Sequence, residues 1–161
     1  MFERESTLNS LLVESFKMLI ADIPADRIYE PAPGNGHPPV WVLGHLAICA
    51  ELGQKYCGGT ITHPEWLKAF GPGSSDQIED TGDYSKEEFS TVITEGYPAF
   101  AQMAREADEA SLAGPHAVPL LEGTPIQTAG DLVAHLLTSH LAFHLAQLSG
   151  WRRAAGHGPL F

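Results

Sequence analysis

The chain has 161 residues, of which 43% are hydrophobic and 18% are charged, a composition typical of a globular protein rather than a disordered one. This length predicts a single domain that covers residues 1–161. The net charge is -11, with only nine Lys and Arg residues and no basic cluster. Nucleic acid and anionic membranes are therefore excluded as expected partners, because their phosphates would repel the chain.

The two cysteines and the N-terminus indicate a cytoplasmic protein. Cys49 and Cys57 fall on one predicted helix, about 12 Å apart along its axis, which exceeds the roughly 7 Å Cα separation that a disulfide allows. Two unbridged thiols fit a reducing compartment. The first residues, MFERESTLNS, carry charges and lack the apolar segment of a signal peptide.

The first half of the chain predicts two helices. The first runs from Arg4 to about Ala21 and ends at a proline-rich loop. The second begins at Pro39, where proline costs little, and runs to about Tyr56, before a glycine pair. Apolar residues recur three and four positions apart along the first helix: Leu8, Leu11, Leu12, Phe16, Leu19 and Ile20.

A long connection, residues 60–84, separates these helices from a third. Within it the segment PEWLKAF is a candidate short helix. Ser85 and Glu88 have the spacing of a capping box and predict the start of the third helix, which continues to about Ala110. Pro98 lies inside this helix and predicts a kink near Glu95.

The fourth helix is predicted from Thr128 to Ala155, with Thr128 and Asp131 as its cap. No charged residue occurs between Leu132 and Trp151, a stretch about as long as a membrane-spanning helix. Its three histidines would be costly in lipid, so a buried helix of a bundle is the better interpretation, with no membrane partner.

Four amphipathic helices in a chain of this size predict an all-α four-helix bundle. The connections are long, so crossovers between helices are as compatible with the sequence as hairpins are. We expect a homodimer if the apolar helix faces are wider than one bundle requires.

Histidines interrupt the apolar faces of the second and fourth helices. At about 100° per residue, His140 and His144 differ by about 40° and face the same way. Gln147 and Trp151 each fall about 20° from His140, and leucines flank this stripe. His45 lies between Trp41 and Cys49, one turn away on either side, and is also predicted to face the core.

Three inward imidazoles suit a divalent metal ion, since neutral imidazole is a good ligand for zinc and its neighbours. The alternative is that each histidine is a hydrogen-bonded core residue, and a chain with eight histidines contains HxxxH by chance. Cys49 is either a fourth ligand or simply core. Glu51 is a weak candidate for a general base, and His135 is expected to face a different neighbour from His140.

Three further residues are candidates for contact with a ligand. Gln147 would either orient a bound water or substrate, or satisfy a buried histidine. Trp41 and Trp151 would either line a pocket or belong to the core.

The segments VWVLGHLAICAE and SHLAFHLAQLSGWRRAAG resemble the DinB/YfiT-like family of metal-dependent enzymes. The order of the helices and the positions of both motifs extend the resemblance over nearly the whole chain, the loops excepted. It implies an up-down-down-up bundle with one divalent metal ion on one histidine of the second helix and two of the fourth. In this sequence those positions are His45, His140 and His144.

Such a site has an open coordination position, which distinguishes it from a closed structural site. The resemblance implies a transferase that uses a low-molecular-weight thiol, with a small-molecule substrate. A metal-dependent hydrolase is the alternative, and a non-catalytic stress-response bundle that binds a metal or small molecule is another. Zinc or nickel is the expected metal, and manganese and iron also accept imidazole.

Overall fold

The computed structural model describes residues 1–32, 34 and 36–160, and this part of the chain is helical, with no strand beyond two isolated bridges. The predicted all-α class is confirmed. Positions 33 and 35 of the proline-rich loop and position 161 of the predicted domain lie outside the described residues. The helices are α1 (Glu3–Ala21), α2 (Pro39–Tyr56), α3 (Trp66–Phe70), α4 (Lys86–Glu106), α5 (Glu109–Leu112), α6 (Ala129–His135) and α7 (Leu141–Ala154).

The predicted helix starts are set by the residues that the sequence indicated. Pro39 is the first residue of α2. The Ser85 hydroxyl accepts a hydrogen bond from the Glu88 amide at 3.1 Å. Thr128 and Asp131 form a reciprocal capping box at the start of α6, in which each side chain accepts from the other residue's amide.

The third long helix, α4, is shorter than predicted. It continues through Pro98 and ends at Glu106, because Ala107 adopts an extended backbone conformation with ψ 144°. The short helix α5 then follows as a separate element. The kink at Pro98 stays a prediction.

The four long helical segments pack together as a bundle. Both α1 and α2 pack on α4 and on α7, and the short helix α3 also packs on α2. Most of α2 is therefore buried, including His45, Cys49 and Glu51. Within the described part of the chain, no helix is both long enough and apolar enough to cross a membrane. The up-down-down-up order stays a prediction.

The buried face of α1 differs from the predicted stripe. Leu8 and Leu11 are 52% and 63% exposed, whereas Asn9 and Val13 are buried. The Asn9 side-chain amide donates to the Leu137 carbonyl at 2.9 Å, so Asn9 faces the core. Apolar periodicity could not indicate this polar contact.

A π turn, Leu136–His140, joins α6 to α7, so that residues 129–154 form one helical run where the sequence predicted a regular α-helix. The wider turn changes the angular position of every side chain before it relative to those after it. Turns of this kind recur at functional sites. Here the turn carries His140.

Two glycine-to-alanine changes should have opposite effects on stability, because one glycine lies where α2 packs closely on α4 and the other lies in open space. A Cβ atom at Gly53 would overlap the ring of Phe100, whereas a Cβ at Gly150, on α7, would meet nothing. Gly53→Ala should lower the free energy of unfolding by about 1–3 kcal/mol through overpacking. Gly150→Ala should raise it by up to about 1 kcal/mol, because alanine favours a helix.

Urea unfolding of both variants beside the wild type measures the two changes. A Gly53→Ala protein as stable as the wild type would contradict the packing of α2 on α4.

Candidate metal centre

The structure brings His45, His140 and His144 together where α2 packs against the π turn and α7. Their ring centroids lie 5.1 Å apart for His45 and His140, 4.7 Å for His45 and His144, and 4.6 Å for His140 and His144. His45 and His144 are each only 5% exposed. His140 is partly buried beside them. The three rings are therefore in contact with one another, and their assignment as metal ligands stays a prediction.

Hydrogen bonds fix the orientation of two of these rings. The Nδ1 atom of His45 donates to the Phe70 carbonyl at 2.6 Å, at the end of α3. The Nδ1 atom of His144 donates to the Gln147 side-chain oxygen at 2.7 Å, one turn along α7. With Nδ1 carrying the proton, Nε2 of each neutral ring is a lone-pair donor to a metal, the arrangement typical of metal-binding histidines.

His140 completes the cluster with an unusual environment. Its Nε2 atom lies 3.1 Å from Nε2 of His45, while its Nδ1 atom is buried and has no hydrogen-bond partner among the described residues. A buried polar atom without a partner is costly. Two imidazole Nε2 atoms at this separation suit a shared cation, so the donor set fits a divalent metal.

Burial keeps all three imidazoles neutral. It lowers the pKa of His45, lowers that of His140 well below its usual value, and lowers that of His144 from 6.5 to about 4. Neighbouring histidines of the cluster lower the pKa values of His140 and His144 further. Neutral imidazole is the form that binds a metal.

Cys49 lies closer to the cluster than the sequence indicated. Its Sγ atom is 3.6 Å from Nε2 of His45, and ligand atoms of His45, Cys49 and His140 all lie within 4.8 Å of one another. His144 is not a member of this group. Burial raises the pKa of the Cys49 thiol to about 12, which disfavours the thiolate that a metal requires. Two candidate ligand sets therefore share His45 and His140.

The expectation that His135 faces a different neighbour is wrong. Its ring lies 5.4 Å from that of His140 and lines the same cavity. These residues are five positions apart, and the π turn between them places residues at that spacing nearly in line. An unbroken α-helix would have separated them by about 140°.

A cavity of about 190 Å³ opens beside the histidines. Its walls are mainly apolar, and no Asp, Glu, Lys or Arg among the described residues lines it. Trp41 forms part of the wall, and its ring stacks on His45 with centroids 4.7 Å apart. The connection between α5 and α6 contributes Val118, Leu120 and Leu121, a contribution that no sequence pattern indicated.

The three residues predicted to contact a ligand lie in different environments. Trp41 lines the cavity, and Gln147 contacts the site only through His144. Trp151 is not among the residues that line this cavity: its indole donates to the Glu30 carbonyl at 2.9 Å, and Arg27 lies over its ring, so its contact with a ligand stays a prediction. Although it lies on the same helix side, Trp151 is about 10 Å beyond His144 along α7.

Glu51 is not available as a general base. Its carboxylate accepts hydrogen bonds from the amides of Thr62 and His63 at 2.8 and 3.0 Å, and it pairs with the His63 ring at 2.5 Å. It therefore anchors the connection that leads to α3. The His63 ring also stacks on Trp66.

The comparisons with known proteins identify one family. The family described as the DinB superfamily matches residues 13–148, a range that includes all three histidines of the cluster. No curated protein and no solved structure matches the chain.

The lowered histidine pKa values predict that the metal-free protein loses stability in mild acid. Near pH 5 the unfolded chain protonates His144 and the folded chain does not, so protons favour unfolding between about pH 6.5 and pH 4. This residue alone should reduce the free energy of unfolding by about 2 kcal/mol between pH 7.5 and pH 5.

Urea unfolding with a chelator present, for wild type and His144→Gln, measures this contribution. The variant should show a smaller difference in the free energy of unfolding between pH 7.5 and pH 5. At pH 7.5 His144 is mostly neutral in both the folded and the unfolded chain. An unchanged difference would show that His144 is not buried as a neutral ring.

Proposed function

The chain belongs to the DinB superfamily, and from this premise we propose that His45, His140 and His144 bind one divalent metal ion for a thiol-dependent transfer reaction. The observation that carries the proposal is the contact of the three neutral imidazole rings, two of which have Nδ1 tied to a hydrogen-bond acceptor. When bound, the ion supplies Lewis acidity, which lowers the pKa of a thiol or water that it contacts.

The chain's own residues hold and shield this site. Phe70 and Gln147 keep the rings of His45 and His144 oriented, so that little reorganisation accompanies binding. The apolar cavity wall, including Trp41, limits water beside the histidines. Electrostatic interactions are stronger in such surroundings than in water.

The cavity favours thiol transfer over hydrolysis. Hydrolysis by this type of site commonly uses a carboxylate as a general base, as the glutamate of HExxH metalloproteases illustrates. No carboxylate lines the described cavity, and Glu51 is committed to the backbone near His63. A thiol that binds a metal loses its proton without such a base.

Zinc or nickel is the proposed metal, since both accept imidazole readily. A homodimer is also proposed, because exposed apolar side chains of α1, among them Leu8 and Leu11, would be covered by a second copy. The two free cysteines, Cys49 and Cys57, support the proposed cytoplasmic location.

Metal content of single variants distinguishes the two candidate ligand sets. Wild type should bind about one divalent ion per chain, measured by elemental mass spectrometry after loading with zinc or nickel. His144→Ala should lose most of this metal, whereas Cys49→Ala should retain it. His157→Ala, in the C-terminal tail, is the matched histidine control and should bind as wild type does.

Loss of metal from Cys49→Ala with retention in His144→Ala would replace His144 by Cys49 in the ligand set. Wild type that binds no metal would overturn the proposed metal centre.

Turnover with small thiols tests the reaction class. With a chromogenic electrophile such as chlorodinitrobenzene, a panel of low-molecular-weight thiols should include at least one that the metal-loaded protein uses. Chelation or His144→Ala should lower the rate roughly tenfold or more, because the metal would be lost or misplaced.

Metal-dependent ester hydrolysis without thiol turnover would favour the hydrolase. Absence of both activities in the metal-loaded protein would favour a non-catalytic metal-binding bundle.

A further inference from the structure

A second cavity adjoins the one beside the histidines. It has a volume of about 550 Å³ and shares three lining residues with the first, namely Leu52, Pro72 and Val118. Small-molecule sites commonly occupy about 300–1,000 Å³, so the first cavity alone is small for a ligand and the second is not. The three shared residues make the two cavities neighbours, and we refer to them together as the two compartments of the recess.

Lys55 is the only charged residue that lines either compartment among the described residues. Lys55 is exposed, and its side chain forms no ion pair or hydrogen bond with any residue that the structure describes. The recess is otherwise mostly apolar, with leucine and proline walls. An ammonium group at the edge of an apolar recess favours a ligand that carries an anionic group at one end.

The lack of a partner for Lys55 has an identifiable cause. Glu51 precedes it by one turn, in the order that favours a helical ion pair. The Glu51 carboxylate instead binds the amides of Thr62 and His63 and the His63 ring, as described above. The ammonium group of Lys55 is therefore left for a ligand.

We propose that the two compartments form one binding site for an elongated apolar molecule that ends in a carboxylate. The carboxylate lies at Lys55, and the opposite end lies beside the histidines. Placing the reactive end there rests on the proposed function, whereas carboxylate recognition rests on the recess and Lys55 alone. Since α2 rises about 1.5 Å per residue, His45 and Lys55 lie roughly 15 Å apart along its axis, which suits an extended chain and a lysine side chain.

Calorimetric titration of the metal-free protein with octanoate and with octanol tests carboxylate recognition. Wild type should bind octanoate more tightly than octanol. Lys55→Gln should weaken octanoate binding about fivefold, the effect of losing one exposed ion pair, and leave octanol binding unchanged. Lys68→Gln, on α3 and outside both compartments, is the matched control and should change neither affinity.

Filling the shared wall tests the continuity of the recess. Val118 is only partly buried, so Val118→Trp should fold, which circular dichroism can verify, and should weaken binding of both ligands. Equal octanoate affinity in wild type and Lys55→Gln would overturn the role of Lys55. Failure of wild type to bind either ligand, or unchanged binding by folded Val118→Trp, would overturn the shared recess.

The outcome is separable from that of the metal proposal, because octanoate binding is measured without metal and metal content without octanoate. Lys55-dependent binding by a protein that takes up no metal would retain the recess and reject the metal centre. In turnover assays, a raised KM of Lys55→Gln for mercaptohexanoate but not for mercaptohexanol would assign the carboxylate to the thiol. A raised KM only for a carboxylate-bearing acceptor would assign it to the acceptor.

Discussion

The burial of three imidazoles side by side, where α2 meets the π turn, is the constraint on which the candidate site depends. Burial disfavours their charged forms, and each neutral ring still has one N–H group to satisfy. The end of α3 supplies the Phe70 carbonyl for His45, and α7 supplies Gln147 for His144. Among the residues that the structure describes, His140 has no such partner for its buried Nδ1 atom. The cluster therefore places three polar side chains inside an apolar bundle. A cation bound by the Nε2 atoms would offset the cost of burying those atoms.

The histidine cluster lines one end of the proposed recess, and Lys55 lines the other. The connection between α5 and α6 forms part of the cavity wall, and its Val118 lines both compartments. Glu51 holds the connection before α3 and thereby leaves Lys55 without its helical partner. Glu51 and Lys55, one turn apart on α2, thus have separate roles. Glu51 stabilises a loop, and Lys55 provides the positive charge that the described residues contribute to the recess.

Local sequence signals predicted the helices well because proline, serine and threonine act on the backbone beside them, as Pro39, Ser85 and Thr128 show. Helical periodicity also predicted that His45, His140 and His144 would face the core. It failed where tertiary contacts decide the outcome. The π turn, which places His135 in the cavity, and the polar contact of Asn9 have no periodic signature. The proximity of Cys49 to His140 and the cavity wall formed by the α5–α6 connection depend on how distant segments pack, which spacing along one helix does not encode.

X-ray absorption spectroscopy of the zinc-loaded protein identifies the atoms that hold the metal. Coordination by His45, His140 and His144 predicts imidazole nitrogens at about 2.0–2.1 Å from zinc, with the outer scattering typical of imidazole rings and no sulfur neighbour. A sulfur neighbour at about 2.3 Å would contradict the three-histidine set in favour of one that includes Cys49. A spectrum without imidazole scattering would contradict a metal centre at this cluster altogether.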